Sequence, residues 1–165
     1  MLKKIGMLMT WLAMTFMVQA QQNLGELVAE AGVDWMIGQW QFTTDNGDDL
    51  ILEFGADLDK HMGTVRYKDQ RTESKGIVLL DPSSKEVKYY SVNNRGAFGT
   101  GTWTVEDNKA VLKFKQTDAD GATMRMGLAF AKVDANTMEV QIFELGDSDK
   151  LGDEARFTAK FKRKK

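Results

Sequence analysis

From residue 40 onward the chain is cut at short, nearly regular intervals by clusters rich in Asp, Asn and Gly. These are DNGDD (45–49), DLDKHMG (57–63), DPSSKE (81–86), NNRG (93–96), EDNK (106–109), DADG (118–121), DANT (134–137) and GDSDKLGD (146–153). Asp, Asn and Gly tolerate the left-handed backbone that tight reversals require, and Pro82 suits the second position of a turn. Runs rich in Val, Phe, Tyr, Thr and Leu lie near 40–44, 50–56, 64–69, 75–80, 87–92, 98–105, 110–117, 122–132, 138–144 and 154–162. Pro82 is the one proline of the chain, so no other residue of that type interrupts a strand ladder. Ten short strands without a second helical block predict an all-β domain. Sequential hairpins favour an up-and-down antiparallel barrel over a sandwich, because a meander of this length closes on itself and leaves no open edge.

Alternation within the runs assigns faces. In AVLKFK, Leu112 and Phe114 oppose Lys113 and Lys115; in TMRMGLAF, Met124, Met126, Leu128 and Phe130 oppose Arg125, Gly127 and Ala129. Phe157, Ala159 and Phe161 likewise oppose Arg156, Thr158 and Lys160. Each such strand therefore has one apolar face and one wetter face. Ahead of them, Leu24, Leu27, Val28 and Ala31 fall at helical spacing, with Asn23 placed to cap the start and Gly32 to stop the helix.

The first twenty residues read differently. Lys3 and Lys4 precede an uncharged, largely apolar run from Ile5 to Val18, and Val18 and Ala20 are small residues at peptidase spacing. That is the pattern of a secretory signal peptide, 1–20, leaving a single domain over 21–165. The apolar run of 14 residues is shorter than the roughly 20 that a spanning helix needs. Loss of Lys3 and Lys4 leaves 20 basic against 24 acidic residues, a mild net acidity of about −4 that argues against a nucleic-acid partner. No cysteine occurs, so neither a disulfide nor a lipid-modified Cys is available. The expected location is the periplasm or the medium, with no stable membrane insertion after cleavage.

Gly38-Gln39-Trp40, within DWMIGQWQF, resembles the Gly-x-Trp signature that opens the first strand of lipocalins after a short helical turn. The resemblance implies that Trp40 closes one barrel end beneath a basic side chain from the last strand, Arg156 or Arg163. The sequence does not choose between them, and Arg156 is the residue set against Trp40 as the barrel-end plug. A wider pattern runs through Ile-Gly-x-Trp, Leu-Asp-Pro (80–82), Gly-Thr-Trp (101–103), Val-Asp-x-Asn-Thr (133–137) and a basic terminus. It resembles a family of uncharacterised exported bacterial proteins with lipocalin-like barrels, which implies the fold and no activity. The chain is also similar to nitrobindin-type haem barrels in its Gly-x-Trp opening and ten strands. Those barrels need an axial histidine late in the sheet, whereas the one histidine here, His61, falls in an early turn.

Catalytic and metal chemistry finds little support. His61 near Asp57 and Asp59 lacks a second nitrogen or sulfur ligand, so it makes a poor metal site and reads as a turn residue. No Gly-x-Ser-x-Gly elbow presents a nucleophile to it. DNGDD and DADG lack the ligand spacing of a calcium loop, since Ala129 stands where the final glutamate of a loop starting at Asp118 belongs. Gly96, Gly99 and Gly101 have no helix N-terminus beside them to hold a phosphate. The basic end KFKRKK reads as a solvated strand terminus.

A pocket remains. In a hollow barrel, Arg66, Tyr67, Tyr90, Trp103, Arg125 and Gln141 supply polar and aromatic groups from separate strands, with the two arginines suited to a carboxylate or phosphate, or else pointing outward with their stems laid over the surface. The expectation is an exported protein that encapsulates a small apolar or amphipathic molecule without transforming it, in a cavity of roughly 300 Å³ or more. No catalytic residue, metal or cofactor is assigned. The alternative is a non-catalytic interaction module of the cell envelope, with a barrel filled by its own side chains.

Overall fold

The structure is a computed structural model that describes residues 22–146 and 149–165. The signal peptide assigned to residues 1–20 lies outside the described residues. A short helix, α1 (Leu24–Glu30), and a 3-10 turn (Asp34–Met36) precede ten strands. The strands are β1 (Gly38–Thr43), β2 (Asp49–Asp57), β3 (Met62–Lys68), β4 (Glu73–Leu80), β5 (Val87–Asn93), β6 (Phe98–Glu106), β7 (Lys109–Thr117), β8 (Thr123–Asp134), β9 (Thr137–Glu144) and β10 (Phe157–Arg163). Each pairs antiparallel with its sequence neighbour, and β1 pairs with β10 through Trp40 opposite Arg163, so the sheet closes as an up-and-down barrel. Among the described residues, no helix is long and apolar enough to cross a membrane.

Local chemistry accounts for the punctuation. Asn23 closes a capping box with Glu26, its side chain accepting from the Glu26 N–H while Glu26 accepts from the Asn23 N–H. The β6–β7 reversal places Asp107 and Asn108 at φ of 50° and 61°, the left-handed pair that a two-residue hairpin turn demands. In the β3–β4 turn, Asp69 Oδ1 accepts from the backbone N–H groups of Arg71 and Thr72. Asp118 does the same for Asp120 and Ala122 in the β7–β8 turn, which is ordinary turn chemistry rather than ion binding.

The side-chain period then fills the interior. Trp40, Leu52, Phe54, Leu112, Phe130, Val140 and Phe161 form one buried cluster that runs through the barrel. The outer faces of β7, β8 and β9 carry an unexpected second cluster. Val111, Ala129 and Phe143 point outward, yet are buried beneath Leu151 and Ala155 of the β9–β10 connection. Leu151 lies over Gly127, and β10 starts at Phe157 rather than at 154. Gly127 and Ala129 share the face opposite Met126, Leu128 and Phe130, as the alternation predicts; that face is the outer one, yet at these two positions it is dry.

Candidate functional site

The two ends of the barrel are built differently. One end gathers the β2–β3, β4–β5, β6–β7 and β8–β9 reversals and the start of β1. Here α1 docks on the β2–β3 turn through the Gly25 N–H, which donates to Lys60 O at 2.9 Å. Trp40 is completely buried beneath this end. Its Nε1 donates to Met36 O at 2.8 Å, and its ring meets the Trp35 ring edge-on at 6.0 Å. The Arg163 guanidinium lies 4.1 Å from the Trp40 ring centroid. Its Nη1 donates to Ile37 O at 2.9 Å, its Nη2 to Trp35 O at 2.5 Å and its Nε to Ala135 O at 3.3 Å.

The stretch DWMIGQW is explained by this arrangement. The 3-10 turn aims the carbonyls of Trp35, Met36 and Ile37 at the indole and the guanidinium. Gly38 stands at φ 129°, and a Cβ there would lie 2.6 Å from Arg163 Nη1. Glycine is therefore required twice, for its backbone conformation and for the room it leaves the cation. Arg163 is the plug partner, and Arg156 is not: Arg156 precedes β10 and pairs with Glu144 at the opposite end. The register decides the matter, because only Arg163 stands across from Trp40.

Toward the other end, formed by the β1–β2, β3–β4, β5–β6, β7–β8 and β9–β10 connections, the interior opens into a cavity of about 300 Å³. Its deep wall is aromatic. Phe130 lies 5.4 Å from Trp103 and 5.7 Å from Phe54 between ring centroids, and Tyr89 meets Phe114 at 6.3 Å. Trp103 Nε1 is buried in this wall and meets no protein acceptor among the described residues. Nearer the mouth the lining contributed by β4 to β7 becomes small and polar, while Leu50, Met126, Ile142 and Phe157 keep the facing side apolar. The register sets Tyr67, Ser74 and Asn93 in one inner row, and Gly76, Ser91, Gly99 and Gln116 in the next. The glycines are part of the shape: a Cβ on Gly76 would strike the Tyr89 ring at 2.5 Å, and one on Gly99 would strike Ser91 Oγ at 2.5 Å.

Two phenols line the cavity, Tyr67 in the polar row and Tyr89 in the deeper aromatic wall. Burial lifts the Tyr67 ionisation well above the ordinary tyrosine range, and the hydrogen bond that its hydroxyl donates to Asp69 Oδ2 at 2.7 Å adds to the shift. For Asp69, burial opposes ionisation, but the bonds from Tyr67, Arg71 and Thr72 outweigh it and hold the carboxyl below its usual value. Burial raises Tyr89 as well, against a hydrogen bond with Ser91.

Of the six residues proposed from sequence as ligand contacts, Tyr67 and Trp103 line the cavity. The other four do not, because each is one residue out of step with the lining residues of its strand and faces outward. Arg66 binds Glu73 at 2.9 Å, with Glu53 beside it. Arg125 pairs with Asp149 and donates to Gly146 O. Gln141 lies between Lys109 and Glu139, and Tyr90 is 40% exposed on the outer wall. The polar residues that sequence reasoning missed are Ser74, Tyr89, Ser91, Asn93 and Gln116, which share a face with inward residues of their strands. His61 is exposed in the β2–β3 turn, away from the cavity lining. Among the described residues no three His, Cys, Asp or Glu side chains converge as metal ligands. No protein-family model matches the chain, and a comparison with curated proteins finds no similar sequence.

Proposed function

We propose that this protein is an exported binding protein that encloses one small apolar or amphipathic molecule without transforming it. The observation that carries this reading is the cavity of about 300 Å³ between a corked end and a polar mouth. Its size lies at the lower edge of the range typical of small-molecule sites, and its lining matches their chemistry, mostly apolar with a few polar groups. The binding force is removal of ligand surface from water at about 25 cal/mol per Å², with the side chains at the mouth fixing orientation. The leader pattern of residues 1–20 supports export. Native mass spectrometry of the 21–165 chain after mild purification tests the reading. A ligand-sized added mass, released on denaturation, is the expected result; a bare mass from native host material, together with no uptake of added apolar molecules, contradicts it.

An interaction face on the outer wall is favoured by a separate observation. Ile77 and Tyr90 are cross-strand partners, as are Val92 and Phe98, and all four are exposed on neighbouring strands β4, β5 and β6. Contiguous exposed apolar side chains on one wall are the mark of a contact surface. Pull-down from an envelope fraction, with Val92→Ser and Phe98→Ser as a double variant, checks it: a complex lost in the variant supports the face, and its retention removes it.

A further inference from the structure

We infer that the molecule held in the barrel is uncharged, an apolar body carrying a neutral hydrogen-bonding head at the mouth; this rests on the encapsulation reading above. Besides the Trp103 indole N–H, the cavity lining holds six polar side chains, Tyr67, Ser74, Tyr89, Ser91, Asn93 and Gln116, and among the described residues no Asp, Glu, Lys, Arg or His. A charge brought into such a wall would lose its water and meet no counter-ion, which is far more costly than burying a hydroxyl or a carbonyl that finds a partner. The two arginines suited to an anionic head are both committed on the outer wall, Arg66 to Glu53 and Glu73 and Arg125 to Asp149. An ionised group that does touch the lining is Asp69, through Tyr67, and it is an anion. A carboxylate or phosphate head is therefore unmatched at this mouth.

A neutral head is matched there. Ser91 and Gln116 each offer both a donor and an acceptor, and Asn93, whose Oδ1 already accepts from the Arg95 and Ala97 N–H groups, offers its amide N–H, so an alcohol, amide or ester can be satisfied without a proton transfer. The polar rows lie at the mouth and the aromatic wall lies deeper, which orients such a molecule tail inward. The cavity has room for about ten groups the size of a water molecule. That suits a chain of about nine carbons with its head.

Calorimetric titration at pH 8 of 1-nonanol against nonanoate tests the inference, because the two probes share a tail and differ in charge. The expected result is that nonanol binds at least tenfold more tightly. Titrating nonanoic acid into the wild-type protein across pH 4 to 8 should show its affinity falling as the acid itself ionises, while nonanol stays level. Gln116→Arg, which places a cation at the mouth, should invert the ratio of the two affinities. Equal binding of the two probes, or tighter binding of nonanoate, overturns the inference and leaves encapsulation standing. Failure of both to bind overturns encapsulation and the inference with it.

Discussion

The corked end and the open end are made from the same alternating strands, yet one is solid and the other hollow. At the corked end, large side chains meet and the plug's polar groups are paired: the Trp40 indole N–H is given to Met36, and the Arg163 N–H groups go to Trp35, Ile37 and Ala135. At the open end, inward positions of β4, β5 and β6 are held by Ser74, Ser91 and Gly99, which are too small to fill the space between the walls. A closed sheet alone therefore does not decide whether a barrel is packed or hollow. The size of the residues in the inward register decides it, strand by strand.

Substitutions that unmake the cork should have the largest effects. Trp40→Ala removes a completely buried indole and is expected to cost about 3–5 kcal/mol in urea unfolding; a loss under 1 kcal/mol would mean that this end is not the stabilising one. Next comes Arg163→Ala, which deletes the cation over the ring and three carbonyl contacts, for about 2–3 kcal/mol. Arg156→Ala, whose partner Glu144 is exposed, should cost under about 1 kcal/mol. Reversal of that order would restore Arg156 as the plug. Gly38→Ala is expected to cost about 1–3 kcal/mol through its φ of 129° and displacement of the guanidinium.

The open end should respond in the opposite sense. Ser91→Leu fills cavity space over Gly99, and its stability should stay within about 1 kcal/mol of the parent or rise. Its nonanol affinity should fall more than tenfold; unchanged affinity would place the ligand elsewhere. The smallest expected effect is with pH. The raised Tyr67 and Tyr89 values mean that the fold favours neutral phenols, so the stability they contribute is complete below their ordinary value of 10.0 and is lost as pH rises through the raised values. Ultraviolet titration should show two phenols ionising later than free tyrosine, and Tyr67→Phe should remove one of them.

Strand number, hairpin order and the Asn23 cap were legible because turn chemistry and a period of two are local signals. Register between β1 and β10 was not, since a one-residue choice between distant strands leaves no local trace; that is why Trp40 alone did not separate Arg163 from Arg156. Alternation correctly grouped Leu112 with Phe114 and Leu128 with Phe130 on a buried face, but a period of two does not say whether the opposite face meets solvent or a cavity. Arg66, Arg125 and Gln141 were misplaced because chemical suitability for a ligand outweighed their position in that same alternation. The dry outer patch at Val111, Ala129 and Phe143 was hidden for another reason: a connection with few apolar residues covers it using Leu151 and Ala155.

The most direct test is the crystal structure of the 21–165 chain soaked with a bromine-tipped nonanol, read by anomalous scattering. The account predicts one bromine inside the barrel near Trp103 and Phe130, the hydroxyl toward Ser91 and Gln116, and Arg163 lying on Trp40. Bromine found only on the outer wall, or an interior closed by its own side chains, would contradict it.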